Sequence, residues 1–295
     1  MFTIGCDPEI FLRDEEGNPL SAHGLIPGDK KTPHAVSNGA IQVDGLAVEF
    51  NTNPVPYDRF VDFNKNIVSV IGQLHEHVRK SSKASFEIKP VMEFSKGYLD
   101  AQPAAAKELG CDPDWCAYTL KPNPRPDGEV TFRTGSGHIH IGWRPEADIP
   151  VDNEEHIEIC ADFVKMLDAT VGMVMTVLDR DPRRRDLYGK AGAFRPKPYG
   201  VEYRTPSNKW IKDKASRWAV WSALNRAITY KNAGYTVEMA TRKAEESIQE
   251  IINTGDVASA GAVINRTNSL GGYGKASNFP LLRDLITDEY GSCPF

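Results

Sequence analysis

The sequence predicts an α+β fold with a helical C-terminal portion. Three observations predict it. Short runs that read as strands gather early in the chain, long helical periodicities dominate after residue 153, and no internal repeat, low-complexity segment or clear linker divides the two. Residues 1–295 are therefore read as one domain, with 235–295 as its helical C-terminal extension.

The elements follow in order. Residues 2–12, "FTIGCDPEIFL", alternate well enough for a strand, and "RDEEGNPL" reads as the turn after it. Pro8 cannot donate to a sheet ladder, which predicts a place at a sheet edge. Residues 22–39 read as a loop. "AIQVDGLAVEFNTNP" reads as two short strands around Asp44-Gly45, a strong hairpin signal. Apolar residues at 60, 63, 67, 71, 74 and 78 give Tyr57 to Lys80 a helical spacing. Residues 84–94 read as a strand, 100–128 as a long irregular loop, and 130–143 as a second clear strand. Asn153 to Leu178 is predicted as a buried helix, capped by Asp152 or Asn153, with Glu154 and Glu155 in its first turn. "DRDPRRRDLYGKAGAFRPKPYG" follows as a basic loop and "VEYRTP" as a strand. Trp210 to Tyr230 and Val237 to Ile252 read as helices, and the last forty residues as one or two short helices with a Gly-rich link.

Composition sets limits on function. The net charge of −5 gives no general electrostatic reason to expect nucleic-acid binding. No stretch approaches the ~20 apolar residues of a membrane span. The opening residues lack the basic and apolar regions of a signal peptide. The five cysteines, at 6, 111, 116, 160 and 293, are odd in number and scattered, and Cys111 with Cys116 reads as an incidental pair. A reduced, cytoplasmic protein is expected.

Four short stretches carry residues with chemistry. "GCDPEIF" spaces Asp7 and Glu9 two apart. "DGLAVEFN" sets Glu49 in an apolar run downstream of Asp44. "GHIHIGW" spaces His138 and His140 two apart, and "GVEYRTP" does the same with Glu202 and Arg204. On a strand this spacing aims both side chains at one side of the sheet. Each stretch alone has a plain explanation, as a solvated sheet face or a surface ion pair. Together, in apolar surroundings, they predict one face gathering carboxylates, imidazole and guanidinium. Carboxylates so gathered repel unless cations hold them, and oxygen ligands with an occasional imidazole suit Mg²⁺ or Mn²⁺. A metal site is expected rather than a general acid–base pair.

The basic loop supplies the second half. Arg183, Arg184 and Arg185 are consecutive, Lys190 sits between Gly189 and Gly192, and Arg195 follows. The loop can be a solvated charge run, but guanidinium groups bind phosphate oxygens in a fixed fork, and glycines allow close backbone approach. Metal-binding carboxylates beside such a loop imply a nucleoside triphosphate with its Mg²⁺ ions. Neither a G-x-x-x-x-G-K-[ST] loop nor a G-x-G-x-x-G helix start is present.

These motifs resemble a known set. "TIGCDPEIFL" resembles the opening Gly-x-Glu-x-Glu strand of glutamate–cysteine ligases, with Asp7 in place of the first Glu. "AVEFNTNP" resembles that family's Glu-x-Asn strand. "GHIHIGW" is similar to its His-Val-His-Val-Gly strand and to the His-x-His of glutamine synthetases, and "GVEYRTPSN" to the Glu-x-Arg strand of both. The order agrees as well. With "RRRDLYGKAGAFR" the chain most resembles the phage-type carboxylate–amine ligases (COOH-NH2 ligase type 2) of the glutamine synthetase-like superfamily, over residues 3 to 210.

The resemblance implies a curved, mainly antiparallel sheet of the glutamine synthetase-like catalytic type, with helices on one face and metals on the concave one. It implies ATP-dependent amide formation through an acyl phosphate, with Mg²⁺ or Mn²⁺. By the same resemblance Asp7, Glu9, Glu49, His138 and Glu202 are metal ligands, while Arg204, with Glu202 and Arg195, acts on the transferring phosphoryl group. Lys190, Arg195 and members of the run Arg183, Arg184 and Arg185 bind phosphates or a substrate carboxylate. His140 is placed at nucleotide or substrate. The implied partners are small-molecule or peptide carboxylates and amines, with no membrane; a modified base stays open as the amine. Two other readings compete: a cupin-type metal-dependent oxygenase or isomerase, which also carries His-x-His on a strand, and a catalytically inert nucleotide-binding protein.

Overall fold

The computed structural model describes residues 1–107, 114–124, 130–143 and 150–270. Its centre is an antiparallel sheet. In spatial order the strands are Lys121–Pro122, Trp115–Cys116, Ala193–Lys197, Gly200–Tyr203, Gly137–Gly142, Thr3–Arg13, Ala47–Thr52, Gly39–Asp44 and His34–Val36. The path does not close on itself. Helices pack on one face, so the fold is a mixed α+β arrangement as the sequence implies.

Period two explains how the two faces separate. Along the opening strand, Ile4, Cys6, Ile10 and Leu12 are buried with the helices, and Asp7 and Glu9 point the other way. Ile139 and Ile141, Val48 and Phe50, and Val201 and Tyr203 join the same buried side. The helix Phe60–Ser81 covers it with Phe63, Ile67, Ile71, Leu74 and Val78, which its helical spacing singles out, and with Val70, which that spacing did not include. The opposite face carries His138, His140, Glu49 and Glu202. A smaller second core, of Phe11, Leu46, Ala47, Met92, Phe94, Leu99 and Ala106, sits at one end of that face.

The opening strand is central, which corrects the edge expected from Pro8. Its residues 3–8 pair with Gly137–Gly142, and Glu9 and Ile10 pair with Glu49 and Val48. Glu9 N–H donates toward the His-x-His strand, to Ser136 O at 2.9 Å, so the even residues face the other neighbour. On that side Cys6 N–H donates to the Thr52 side chain, and Pro8 falls between the pairing of Thr3 and Ile4 with Pro56 and Val55 and that of Glu9 and Ile10 with Glu49 and Val48. Pro8 therefore lies in a gap of the ladder and needs no donor.

Other expectations split where the chain turns. Residues 84–94 form two strands, Ser85–Glu87 and Val91–Glu93, which join different sheets. Residues 130–143 divide likewise into Phe132–Thr134, paired with Val91–Glu93, and the His-x-His strand. Gly135 stands at that break, where a Cβ would meet Asn208 Nδ2 at 2.5 Å and Lys89 O at 2.6 Å. The long buried helix is capped by Asn153, whose side chain accepts from His156 N, but it is interrupted by a π turn at Asp168–Gly172. Asp168 there accepts from the hydroxyls of Tyr203 (2.6 Å) and Tyr118 (2.9 Å), a contact that no periodicity reveals. Trp210–Tyr230 becomes a 3-10 turn, Asn208–Ile211, and a helix, Lys214–Asn232, capped by Asp213. Val237–Ile252 breaks at Arg242, whose φ is 60°. The helix Val257–Leu270 follows; the rest of the C-terminal expectation, with Cys111 and Cys293, lies outside the described residues. No described helix is long and apolar enough to cross a membrane.

Candidate active site

The polar face of the sheet floors a cavity of about 410 Å³. Register decides who meets whom there. Asp7 pairs with His138, His140 with Glu202, and Glu9 with Glu49, so four strands deliver side chains to one floor. Two groups result: Asp7, His138 and Glu202, and Glu9, Asp44 and Glu49. In each, one donor atom per residue lies within 4.8 Å of the others. Asp44 reaches the second group from the end of its hairpin strand.

The two groups differ electrostatically. Around Glu202, which is 1% exposed, stand Arg204, Lys197 at 2.8 Å and Arg195 at 3.5 Å. Burial pushes this carboxyl up, but Arg204, His138, His140 and Lys197 outweigh it and hold it well below the usual range. His138 is kept neutral by burial and by Arg204, and its Nδ1 lies 3.4 Å from Glu202. Around Glu9 and Glu49 the balance reverses. Burial first, then the neighbouring acids, pushes Glu9 up to about 7 and Glu49 well above its ordinary value. Ser136 N–H donates to Glu9 at 2.8 Å, and Lys30 reaches Asp44 at 2.8 Å from a half-exposed position.

Both groups fit divalent cations. Asp7 Oδ1 is buried with no hydrogen-bond partner, and three carboxylates converge at the second group with their charges incompletely offset. Carboxylate and imidazole donors so arranged suit Mg²⁺ or Mn²⁺.

The remaining expected residues divide. Arg184, Arg195 and Arg204 line the cavity. Arg183, Arg185 and Lys190 do not. Arg183 turns outward to Asp181 and Glu93. Arg185 is buried behind, donating to Asp179 O at 3.1 Å. Lys190 is exposed, and its carbonyl accepts from Thr205 Oγ1. The cause is the one-turn helix Arg183–Leu187, which sends three consecutive arginines in three directions. His140 stands one step back from the cavity: its Nε2 is 3.0 Å from Asp7 Oδ2 and its Nδ1 is 2.6 Å from Tyr199 Oη. Burial works against its charge, but Asp7 prevails and raises its pKa.

Several lining residues escaped the sequence reading. Lys197 lies two residues beyond Arg195 on the strand Ala193–Lys197, so the i, i+2 rule applied to the basic loop finds it. Arg133 precedes the His-x-His strand by a short turn. Asp114, which is not among the lining residues but stands 3.2 Å from Arg204 Nε, comes from the irregular loop and left no signal.

Comparison with known proteins adds the following. No curated protein matches the chain. A solved structure described as "Crystal structure of novel glutamine synthase homolog" is similar, with a TM-score of 0.35 and 11% identity, covering 97% of this chain and 70% of that one. The model of the family "Phage phiEco32-like COOH.NH2 ligase-type 2" matches residues 129–249. That span holds His138, Lys197, Glu202 and Arg204, while Asp7, Glu9 and Glu49 lie outside it and reach the same cavity only through the sheet. Over residues 129–249, then, the chain matches the phage-type COOH.NH2 ligase family that its motifs resemble.

Proposed function

We propose that the protein is an ATP-dependent carboxylate–amine ligase. One observation carries the reading: acids and imidazole from four separated strands meet in a single cavity, with Arg195, Lys197 and Arg204 along one side of it. Asp7, His138 and Glu202 would hold one divalent ion, and Glu9, Glu49 and Asp44 another. Such ions neutralise phosphate charge and the incoming carboxylate, which otherwise repel each other.

The chain's own residues do the rest. Arg204 and Arg195, already facing Glu202, are placed to turn their forks to phosphate oxygens, with Lys197 as a point charge beside them. They would stabilise the phosphoryl group as it passes to the acid substrate, giving an acyl phosphate that the amine opens. His140 would act through Asp7, fixing its orientation by the 3.0 Å contact while Tyr199 holds the far side of the ring. The cupin reading loses its support from the open sheet and from the engagement of His140 with Asp7.

The test is product analysis. The protein, with Mg²⁺, ATP and a panel of acids and amines, should release ADP and phosphate only when both co-substrates are present. Glu202→Ala should lower that turnover by on the order of 10³-fold with the circular dichroism spectrum retained. Wild-type turnover in this variant would remove the assignment. Tight Mg²⁺–ATP binding without turnover over the whole panel would leave the inert nucleotide-binding reading in its place.

A further inference from the structure

Asp168 is a buried acid that takes no part in the cavity. It opens the π turn Asp168–Gly172, in the helical layer behind the sheet, and is fully enclosed. It forms no ion pair among the described residues. Its oxygens are taken by groups from three other segments instead. Tyr203 Oη donates to Oδ1 at 2.6 Å, and Thr205 Oγ1 stands 3.4 Å from the same atom. Tyr118 Oη donates to Oδ2 at 2.9 Å, and the Gly192 N–H donates to the carboxylate as well. A carboxylate buried without a cation costs stability, and burial pushes this one up to about 7.

The same segments build the cationic group on the other face. Tyr203 lies between Glu202 and Arg204, with its ring among the helices while their side chains line the cavity. Tyr118 lies a few residues past Asp114, which holds Arg204 Nε at 3.2 Å. Gly192 precedes the strand Ala193–Lys197, which brings Arg195 and Lys197 to Glu202. The segments also clasp one another: Ala117 N–H donates to Gly192 O and Arg204 N–H to Ala193 O, each at 2.9 Å. A Cβ on Gly192 would meet the Tyr118 ring at 2.7 Å, so that contact has no slack. Arg204 is thus held by two carboxylates, Asp114 and Glu202, whose segments are both tied to Asp168. An acid kept where it costs stability is of use to the site rather than to the fold.

We infer that Asp168 is a positioning residue, which fixes the Asp114 and Tyr203 segments from behind the sheet and so aims the Arg204 fork at phosphate oxygens. This rests on the ligase reading for what the fork holds.

Calorimetric titration of the full chain with Mg²⁺ and either a non-hydrolysable ATP analogue or ADP tests it. Asp168→Asn keeps the shape of the acid but turns one acceptor into a donor. It should weaken the analogue about 10-fold and ADP less than about 2-fold, because Arg204 acts on the terminal phosphoryl group. In an Arg204→Lys background, which keeps a cation, adding Asp168→Asn should cost less than about 2-fold more. An equal loss for both nucleotides, or the same further loss beside Arg204→Lys, would mark a purely structural role and overturn the inference. So would unchanged analogue binding in Asp168→Asn. Tyr118→Phe leaves the acid in place and should show the same pattern at about 3-fold, which keeps the proposal open to refutation if Asp168→Asn folds poorly. Wild-type binding is measured first: its absence defeats the ligase reading, whereas its presence without these losses defeats only the role of Asp168.

Discussion

The two acid groups of the cavity share one sheet, yet they are balanced in opposite ways. Glu202 is surrounded by three cations that approach it directly. Glu9, Asp44 and Glu49 have mainly one another, with a half-exposed lysine on the rim. In the first group the fold supplies the counter-charge; in the second it leaves the charge to be supplied. The same residue type is therefore held ionised in one place and pushed toward its neutral form a few strands away.

That contrast can be broken experimentally. The largest effect is expected from Glu202→Gln, which strands three cations beside a neutral amide. Chemical denaturation should show a loss of about 3–5 kcal/mol. A loss below 1 kcal/mol would mean that the cations find other partners. Next comes pH. Asp168 is buried away from the cavity, and burial pushes its pKa up to about 7 against the pull of its tyrosine hydrogen bonds. A raised folded-state value means the folded protein holds this proton more tightly than the unfolded chain. Asp168 therefore costs stability as pH climbs from the ordinary carboxylate range to about 7, on the order of 4 kcal/mol, and nothing further above it. Glu9 and Glu49, also raised, add to the same limb in the metal-free protein, so it is read in saturating Mg²⁺, where Asp168→Asn should flatten it. A limb that Mg²⁺ abolishes would belong to the cavity acids instead.

Glu49→Gln should act in the opposite sense to Glu202→Gln. Removing one of three crowded carboxylates should stabilise the metal-free protein by about 1–2 kcal/mol at neutral pH, while weakening Mn²⁺ binding as read by electron paramagnetic resonance. Destabilisation would show that the second group is already balanced. The smallest change is expected from Lys30→Ala, whose ion pair to Asp44 is half-exposed and worth less than about 1 kcal/mol in melting experiments.

Much of the site was legible because strands announce their faces. Asp7 and Glu9, His138, and Glu202 and Arg204 are visible at spacing two, and register then brings them together. The arginine loop was legible in content but not in direction. A one-turn helix inside it, too short to leave a periodicity, sends Arg184 inward and Arg183 outward. Asp168 was hidden for another reason: its partners Tyr118 and Tyr203 lie 50 and 35 residues away. The interruption of its helix begins at the residue that makes those contacts.

The sequence by itself determined the strand faces, the hairpin at Asp44-Gly45 and the inventory of acids, imidazoles and cations, because period and turn chemistry are local properties of the chain. Only the tertiary structure decided that Glu202 is balanced and Glu49 is not, that Pro8 is central, and that Arg184 and Arg133 face the cavity. Counter-charge and ladder gaps depend on neighbours far apart in sequence, and distance in space is what electrostatic energy reads.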